Sequence, residues 1–402
     1  MIESGKTDEL DDAAGWDDHL IESLRSARRI VVKLGTNVVA DSNGSVSLER
    51  VTPVVASIAA LRRAGRQIVL VSSGAVGLGA GKLGINRSRL NDVVMRQACA
   101  AVGQSLLMRS YEQLFENQGL KVAQVLLTEG DFKDRRRYTN LQRSMDKLLK
   151  LGVIPIVNEN DTVSVAELEY QEAPSSRVFG DNDRLAALVM SKLEADVLVL
   201  LTSIDGLCIN PGKPGMRRIP LVTEITPWIT GLATGPAAGG RGGMKTKLDA
   251  ASIAMKAGGV AVIADGRAGD TITRLFAGEE TGTAFVPRIR MRGKQRWIMY
   301  AAESKGRIIV NEGARAAIAA GRASLLASGV IGIEEAFEPK DVVGIVDSDG
   351  TEFARGIVNC ASTEASRLIN PEPSVPREDR SAGERSRTRV LVGRDNIVLL
   401  EK

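Results

Sequence analysis

Histidine is almost missing from this chain: the only one, His19, lies in a polar stretch near the start. A catalytic triad or a metal centre built on histidine is therefore excluded. Cysteine is nearly as scarce. Cys99, Cys208 and Cys360 are too scattered for a disulfide scaffold and lack the paired spacing of a zinc site. No apolar run reaches membrane-spanning length, and residues 1–27 have no signal-peptide core, so a cytoplasmic protein with no membrane partner is expected. The net charge of +4 is too small over 402 residues to point to nucleic acid. Charge is concentrated only locally. Residues 288–322 carry nine Lys/Arg against two acidic residues, but Trp297 and Tyr300 stand there as isolated aromatics, with no interleaved series for stacking bases.

What the chain does have is apolar residues and glycine. At 44% hydrophobic composition it can bury a large core, and its length predicts two domains. The stretch around which the rest is organised is Gly239-Gly240-Arg241-Gly242-Gly243-Met244-Lys245-Thr246-Lys247, followed by an apolar-periodic run. Four glycines in five residues let the backbone lie against a ligand, and the helix that follows aims unpaired N–H groups at it. Lys245 and Lys247 at a helix start are unfavourable unless an anion is present. A bound phosphate explains them; a flexible loop with two solvated lysines is the alternative. It is not a Walker A loop, because Met244 separates the glycine from the lysine.

Before that loop the chain alternates. Residues 1–27 are acidic and glycine-interrupted and read as a flexible extension whose removal should change little. Ile30 to Leu34 is a short buried strand ending in Lys33-Leu34-Gly35-Thr36. A lysine there must be paired, or must snorkel from an edge strand. Residues 48–64 predict a helix with Pro53 near its first turn, and residues 67–71 a strand running into Ser72-Ser73-Gly74. Ser73 and Gly74 could offer a hydroxyl and a close N–H to a carboxylate or phosphate, or could merely turn the chain. A long, mostly buried helix over 91–117 follows, then a strand over 119–127 and a helix over 134–150. The patch Asp134 to Arg137 reads either as a solvated face or as a contact. The strand 152–157, with Pro155 arguing for an end or edge position, runs into Asn158-Glu159-Asn160-Asp161. After a loop or hairpin come Gly180-Asp181-Asn182-Asp183 and a helix over 184–193, for which Asn182 or Asp183 could be the cap. Strands over 195–201 and 259–264 enclose a loop at 210–215 and a helix over 246–257. Alternation across residues 29–290 predicts an α/β fold, a three-layer sandwich around a mainly parallel sheet.

Beyond residue 288 the rhythm changes to short β pieces at 306–310 and 341–346 with a helix over 312–320, as in a compact, mostly β domain. Residues 371–390 read as a linker, and 391–392 with 397–400 as an apolar coda able to pair back. The divisions expected are 1–27, 28–290, 291–370 and 371–402.

Two lysines on separate strand or helix ends, a glycine loop and Asp/Asn-rich strand exits suit phosphoryl transfer from ATP, which depends on positioning and charge neutralisation. A carboxylate acceptor is already ionised at neutral pH and needs no general base. Five segments in order, VVKLGT (31–36), SSGAVGLG (72–79), IPIVNEND (154–161), GDND (180–183) and GGMKTK (242–247), make the chain resemble the amino-acid kinase family, and within it the glutamate 5-kinases. Residues 295–365 resemble a PUA domain through KQRWI (294–298), VNEGARAAI (310–318) and SLLASGVIGI (324–333).

That resemblance implies transfer from ATP, with Mg²⁺, to the γ-carboxylate of L-glutamate, the first step of proline synthesis. By the same resemblance Lys33 and Lys247 contact the phosphates and catalyse, and Asp183 organises them. Ser73, Asp161 and Asn182 bind glutamate, with a backbone donor from Gly74. Thr202, Ser203 and the segment Arg241, Gly242, Gly243, Met244, Lys245, Thr246, Lys247 bind nucleotide. Ser203 stands where the family commonly has aspartate, so that acidic contact is missing or is taken over by Asp205. Arg241 stands where a small hydroxyl residue is common. The resemblance further implies a homo-oligomer (dimer or tetramer), feedback inhibition by proline and coupling to glutamyl-phosphate reductase. The rival expectations are a kinase of another acidic amino acid and an RNA-binding protein acting through the PUA-like part.

Overall fold

The computed structural model describes residues 15–41, 44–163, 182–233, 243–287, 298–299, 304–321, 323–369 and 389–400. It divides into two compact units, Met1–Phe132 with Arg136–Met291, and Lys133–Arg135 with Arg292–Lys402.

The first unit is built on an eight-stranded sheet. Its strands are β1 (Arg29–Leu34), β2 (Gln67–Ser72), β3 (Val122–Leu127), β4 (Ile154–Glu159), β5 (Val197–Thr202), β8 (Leu221–Val222), β9 (Val260–Asp265) and β10 (Thr283–Phe285), in the order β3-β4-β2-β1-β5-β9-β10-β8. A two-residue ribbon, β6 (Cys208–Ile209) and β7 (Arg217–Arg218), stands apart from it. From β3 to β9 every neighbouring pair is parallel; β10 pairs with β9 antiparallel and with β8 parallel, so the sheet is mixed at one edge. The central strands β1, β2 and β5 are apolar on both faces because helices cover both. One layer holds helices Leu48–Arg63, Val93–Glu116 and Thr271–Ala277, whose apolar side chains form one core with Val32, Leu34, Val199 and Val262. The other holds helices Asn182–Leu193 and Met244–Lys256, which contact each other and the strands β1, β5 and β9.

Lys33 lies opposite Leu200 of β5, which lies opposite Ile263 of β9. Because side chains alternate along a strand, these residues point to the face opposite that of Val32, Val199 and Val262. A single lysine in an apolar strand is therefore directed at the helix Asn182–Leu193. The helix Val93–Glu116 buries only one face, including Cys99, Gly103, Leu107, Tyr111 and Phe115, rather than most of its surface. It crosses the helix Ala75–Leu83 backbone to backbone: a Cβ at Gly103 would collide with the Ala75 carbonyl, and one at Gly79 with that of Cys99. Pro155 sits in an interior strand, but the ladder to β2 begins only at Ile156, so the missing N–H breaks no bond to β2.

The chain before Arg28 differs from a flexible extension wherever it is described. Residues Asp18–Ser26 form a helix, capped by Asp17, whose side chain accepts from Leu20 N at 2.7 Å. Leu20 and Leu24, four residues apart, enter the main core. Trp16 Nε1 donates to the Pro220 carbonyl at 2.9 Å and Arg25 Nη2 to that of Ala277 at 2.8 Å. In the sequence, the surrounding acidic residues hide this two-leucine stripe. Deleting residues 1–27 is accordingly expected to lower the melting temperature by several degrees, since burying a leucine contributes about 1.5–3 kcal/mol. Thermal unfolding of the shortened and full chains measures it, and equal midpoints would show that this helix adds nothing to stability.

The second unit is a six-stranded sheet of order β12-β16-β15-β14-β11-β13, formed by β11 (Arg307–Val310), β12 (Leu325–Leu326), β13 (Val330–Glu334), β14 (Val342–Val346), β15 (Glu352–Val358) and β16 (Val390–Leu399). Helix Glu312–Ala319 is capped by Asn311. The coda read as part of a tail is one continuous strand, β16, antiparallel to β12 and β15, with Leu391 and Val392 in the core. Its central Gly-Arg-Asp-Asn broke the apolar pattern in the sequence without breaking the strand.

Candidate functional site

Three charged side chains meet at the C-terminal end of β1. Lys33 Nζ lies 2.6 Å from Asp183 Oδ1, and Lys247 Nζ lies 3.0 Å from Asp183 Oδ2. Asp183 is 0% exposed, Lys33 4% and Lys247 5%. The strand contributes Lys33, and the first turns of two neighbouring helices contribute the others. Burial alone would raise the Asp183 pKa, but the Lys33 and Lys247 ammonium groups outweigh it and hold the carboxyl below its ordinary value. Among the described residues two cations share one anion there, which leaves an excess positive charge. Desolvating such a cluster is costly unless an anion joins it.

The glycine-loop helix begins at Met244, and its N-cap, Gly243, has no side chain with which to cap it. Its first N–H groups thus lack intrahelical partners beside Lys247. Lys245 is exposed, whereas Lys247 turns inward. Thr246 Oγ1 lies 3.2 Å from Asp183 Oδ2 and 2.9 Å from the Gly243 carbonyl, which ties the helix start to the charged cluster. Arg241 and Gly242 lie outside the described residues.

Asn182, beside Asp183, belongs to the helix's first turn rather than preceding it. Its Nδ2, with two hydrogens to give, lies 3.0 Å from the Ser72 carbonyl, 3.0 Å from Ser73 Oγ and 2.9 Å from Asn158 Oδ1. Asn158 Nδ2 in turn donates to Gln104 Oε1 at 2.8 Å. Gly74 adopts φ 107°, a left-handed conformation natural to glycine, and starts the helix Ala75–Leu83 there. Ser73 and Asn182 are therefore brought together directly. Asp161 stands farther along, on the wall of a cavity of ≈280 Å³ that Gln104 also lines. Burial pushes its carboxyl pKa up, against the opposing pull of Arg96.

Thr202 ends β5 in register with Asp265 of β9, on the Lys33 face of the sheet, and Ser203 follows it. The exposed Asp205 carboxylate takes Arg218 Nη1 at 2.8 Å, and Arg218 also pairs with Glu280 at 3.0 Å. Among the described residues no group of three or more His, Cys, Asp and Glu side chains could hold a metal ion. No described helix is long and apolar enough to cross a membrane. Reasoning from sequence missed Asn158 as a link and Gln104 altogether. Asn158 stood in the polar strand exit, but nothing distinguishes Gln104 within its helix.

The model of the amino acid kinase family matches residues 28–265. This chain belongs to the amino-acid kinase family. A PUA domain model matches residues 306–370. The glutamate 5-kinase of Pelobacter propionicus is 41% identical to this amino-acid kinase over 383 residues, covering 94% of the chain and 99% of that protein. The glutamate 5-kinase of Moorella thermoacetica is 44% identical over 350 residues, or 86% and 90% of the two chains. That of Bifidobacterium animalis subsp. lactis is 41% identical over 384 residues, 94% and 97%.

Proposed function

We propose that this amino-acid kinase transfers the γ-phosphoryl group of ATP to the γ-carboxylate of L-glutamate, giving L-glutamyl 5-phosphate and ADP, the opening step of proline synthesis. The observation that carries the proposal is the buried Lys33–Asp183–Lys247 bridge, one residue away from the Asn182–Ser73 cluster. Similarity to glutamate 5-kinases over nearly the whole chain supports the choice of acceptor. A carboxylate oxygen of glutamate attacks the γ-phosphorus, the bond to the β,γ-bridging oxygen breaks, and ADP leaves with that electron pair. Negative charge spreads over the transferring group, and the excess cation of the bridge sits ready to neutralise it. Lys33 and Lys247 act on the phosphates, while Asp183 fixes both ammonium groups. Thr202, Ser203 and the helix start from Gly243 to Lys247 hold the nucleotide, whose phosphates carry the Mg²⁺. Homo-oligomerisation, inhibition by proline and coupling to glutamyl-phosphate reductase extend the same proposal from the family resemblance. Trapping the acyl phosphate with hydroxylamine, using glutamate, N-acetylglutamate and aspartate separately, tests it. Product from glutamate alone is expected, and robust product from N-acetylglutamate would overturn the acceptor assignment.

Free glutamate carries an α-ammonium that N-acetylglutamate lacks, and Asp161 is assigned to it. Asp161→Asn keeps the volume and deletes the charge, so a charge-assisted hydrogen bond of about 1.5–3 kcal/mol is weakened. The glutamate KM is expected to rise about ten- to a hundredfold, with the ATP KM nearly unchanged. Because the Asp161 pKa is raised, its carboxylate is lost at a higher pH than an ordinary aspartate's. As pH falls, the parent's glutamate KM should climb before ordinary carboxylates titrate, while that of Asp161→Asn stays flat. Parallel pH profiles for the two proteins would assign the ammonium contact elsewhere.

A further inference from the structure

Ser72 ends β2 with its side chain on the same face as that of Leu70, toward the helix Val93–Glu116, because side chains alternate along a strand. Its Oγ lies 2.7 Å from the Tyr111 hydroxyl of that helix and 3.1 Å from the Ser73 carbonyl. A carbonyl can only accept, so the single Ser72 hydrogen goes to Ser73, and the Tyr111 hydroxyl is the donor to Ser72. Burial pushes the Tyr111 pKa up, which keeps that hydrogen in place. Tyr111 is 1% exposed and Ser72 0%. A phenylalanine would fill the same space with no hydroxyl to satisfy, so the polar atom asks for a reason.

The bonds around Ser73 supply one. Ser73 N donates to the Leu34 carbonyl at 3.2 Å, and the Ser73 carbonyl takes the Ser72 hydroxyl, so its main chain is pinned on both sides. Asn182 Nδ2 lies 3.0 Å from the Ser72 carbonyl and 3.0 Å from Ser73 Oγ. This turn is therefore held from both layers of helices, by Tyr111 on one side and Asn182 on the other. The Ser73 carbonyl and the Gly74 N–H belong to one planar trans peptide and point in opposite directions. Fixing the carbonyl toward Ser72 thus fixes where the Gly74 N–H is aimed. Gly74 itself sits at φ 107°, where the peptide plane has little other restraint from sterics.

We infer that Tyr111 is a positioning residue for the acceptor: through the Ser72 hydroxyl it fixes the Ser73–Gly74 peptide, and so the direction in which the Ser73 hydroxyl and the Gly74 N–H are presented. This rests on the acceptor site proposed above and deepens it. Tyr111→Phe removes one hydroxyl and keeps the ring. Ser72→Ala removes the relay and keeps the carbonyl that faces Asn182.

Steady-state kinetics on the full chain, with both substrates varied, are set beside thermal unfolding of the same samples. Each variant is expected to raise the glutamate KM about three- to tenfold, the worth of one neutral hydrogen bond, and to leave the ATP KM within about twofold. Because both act through one hydroxyl, the double variant should be no worse than Ser72→Ala alone. A hydroxyl that only supports the fold would lower the melting midpoint and leave both KM values alone, or move them together; either result overturns the inference. Effects that multiply in the double variant overturn it too. If Tyr111→Phe does not fold, an unchanged glutamate KM in Ser72→Ala overturns it alone. A parent that phosphorylates aspartate or N-acetylglutamate instead, with the same selective KM rise for that acceptor, keeps the positioning role and overturns only the choice of glutamate.

Discussion

Lys33→Ala and Lys247→Ala are each expected to lose at least about a hundredfold in turnover while remaining folded. The rate loss follows from removing a positive charge held where the transferring phosphoryl group becomes more dispersed in charge. The fold survives because either substitution leaves Asp183 paired with the remaining lysine, at 2.6 or 3.0 Å. A cluster of two cations and one anion becomes a simple buried pair. Steady-state rates with glutamate and Mg·ATP, set beside thermal unfolding of the same samples, check both halves. If both variants worked within a few-fold of the parent, the bridge would be structural and the transfer would take place elsewhere.

The alternating architecture was legible because it rests on local rules. Residues 48–64 announce a helix through Gly65 past its end, and the helix runs Leu48–Arg63; Pro53, expected about its first turn, lies inside it. The β1, β2 and β5 runs are apolar on both faces but for Lys33 and their end residues, the pattern of strands covered on both sides. Less legible was whatever depends on a partner distant in sequence. The Asp18–Ser26 helix shows only two buried leucines among polar residues, and its anchors, Pro220 and Ala277, lie 204 and 252 residues from the side chains that bond them. Strand β16 draws its order from β12 and β15 and not from its own interrupted pattern.

The same division applies to the site. Lys33 stood out because an ammonium in an apolar strand demands a partner, and glycine density marked the start of the Met244–Lys256 helix. That Asp183 would be the partner of both lysines came from family resemblance alone, and three separate segments must fold together before the pairing exists. The Arg218 partner of Asp205, at 2.8 Å, was equally unreadable, since it lies thirteen residues on, past a loop. Gln104 was invisible because, though on a helix, its hydrogen bonding is set through Asn158 and Asn182 from the Ser72 carbonyl at the end of β2.

Asp183→Asn is the substitution expected to damage both activity and stability. Unlike the loss of either lysine, it leaves two buried ammonium groups facing a neutral amide. Breaking a buried pair in this way costs about 3–5 kcal/mol, equivalent to a fall of roughly 6–20 °C in the melting temperature of the first unit. Turnover should fall with it, because the lysines lose the group that fixes them. An anion at the site would relieve the repulsion, so Mg·ATP is expected to raise the variant's midpoint by more than it raises the parent's. The pH dependence has a definite sign. Asp183 titrates below its ordinary value, so its contribution is complete above the unfolded carboxylate pKa and disappears only as pH falls through the lower folded one. The gap in melting temperature between parent and variant should therefore be full at neutral pH and close only in strongly acid solution. Calorimetric scans of both proteins across that range decide it. A gap below a degree at neutral pH, or a nucleotide shift no larger in the variant, would mean that the two lysines find their counter-charge in some other group.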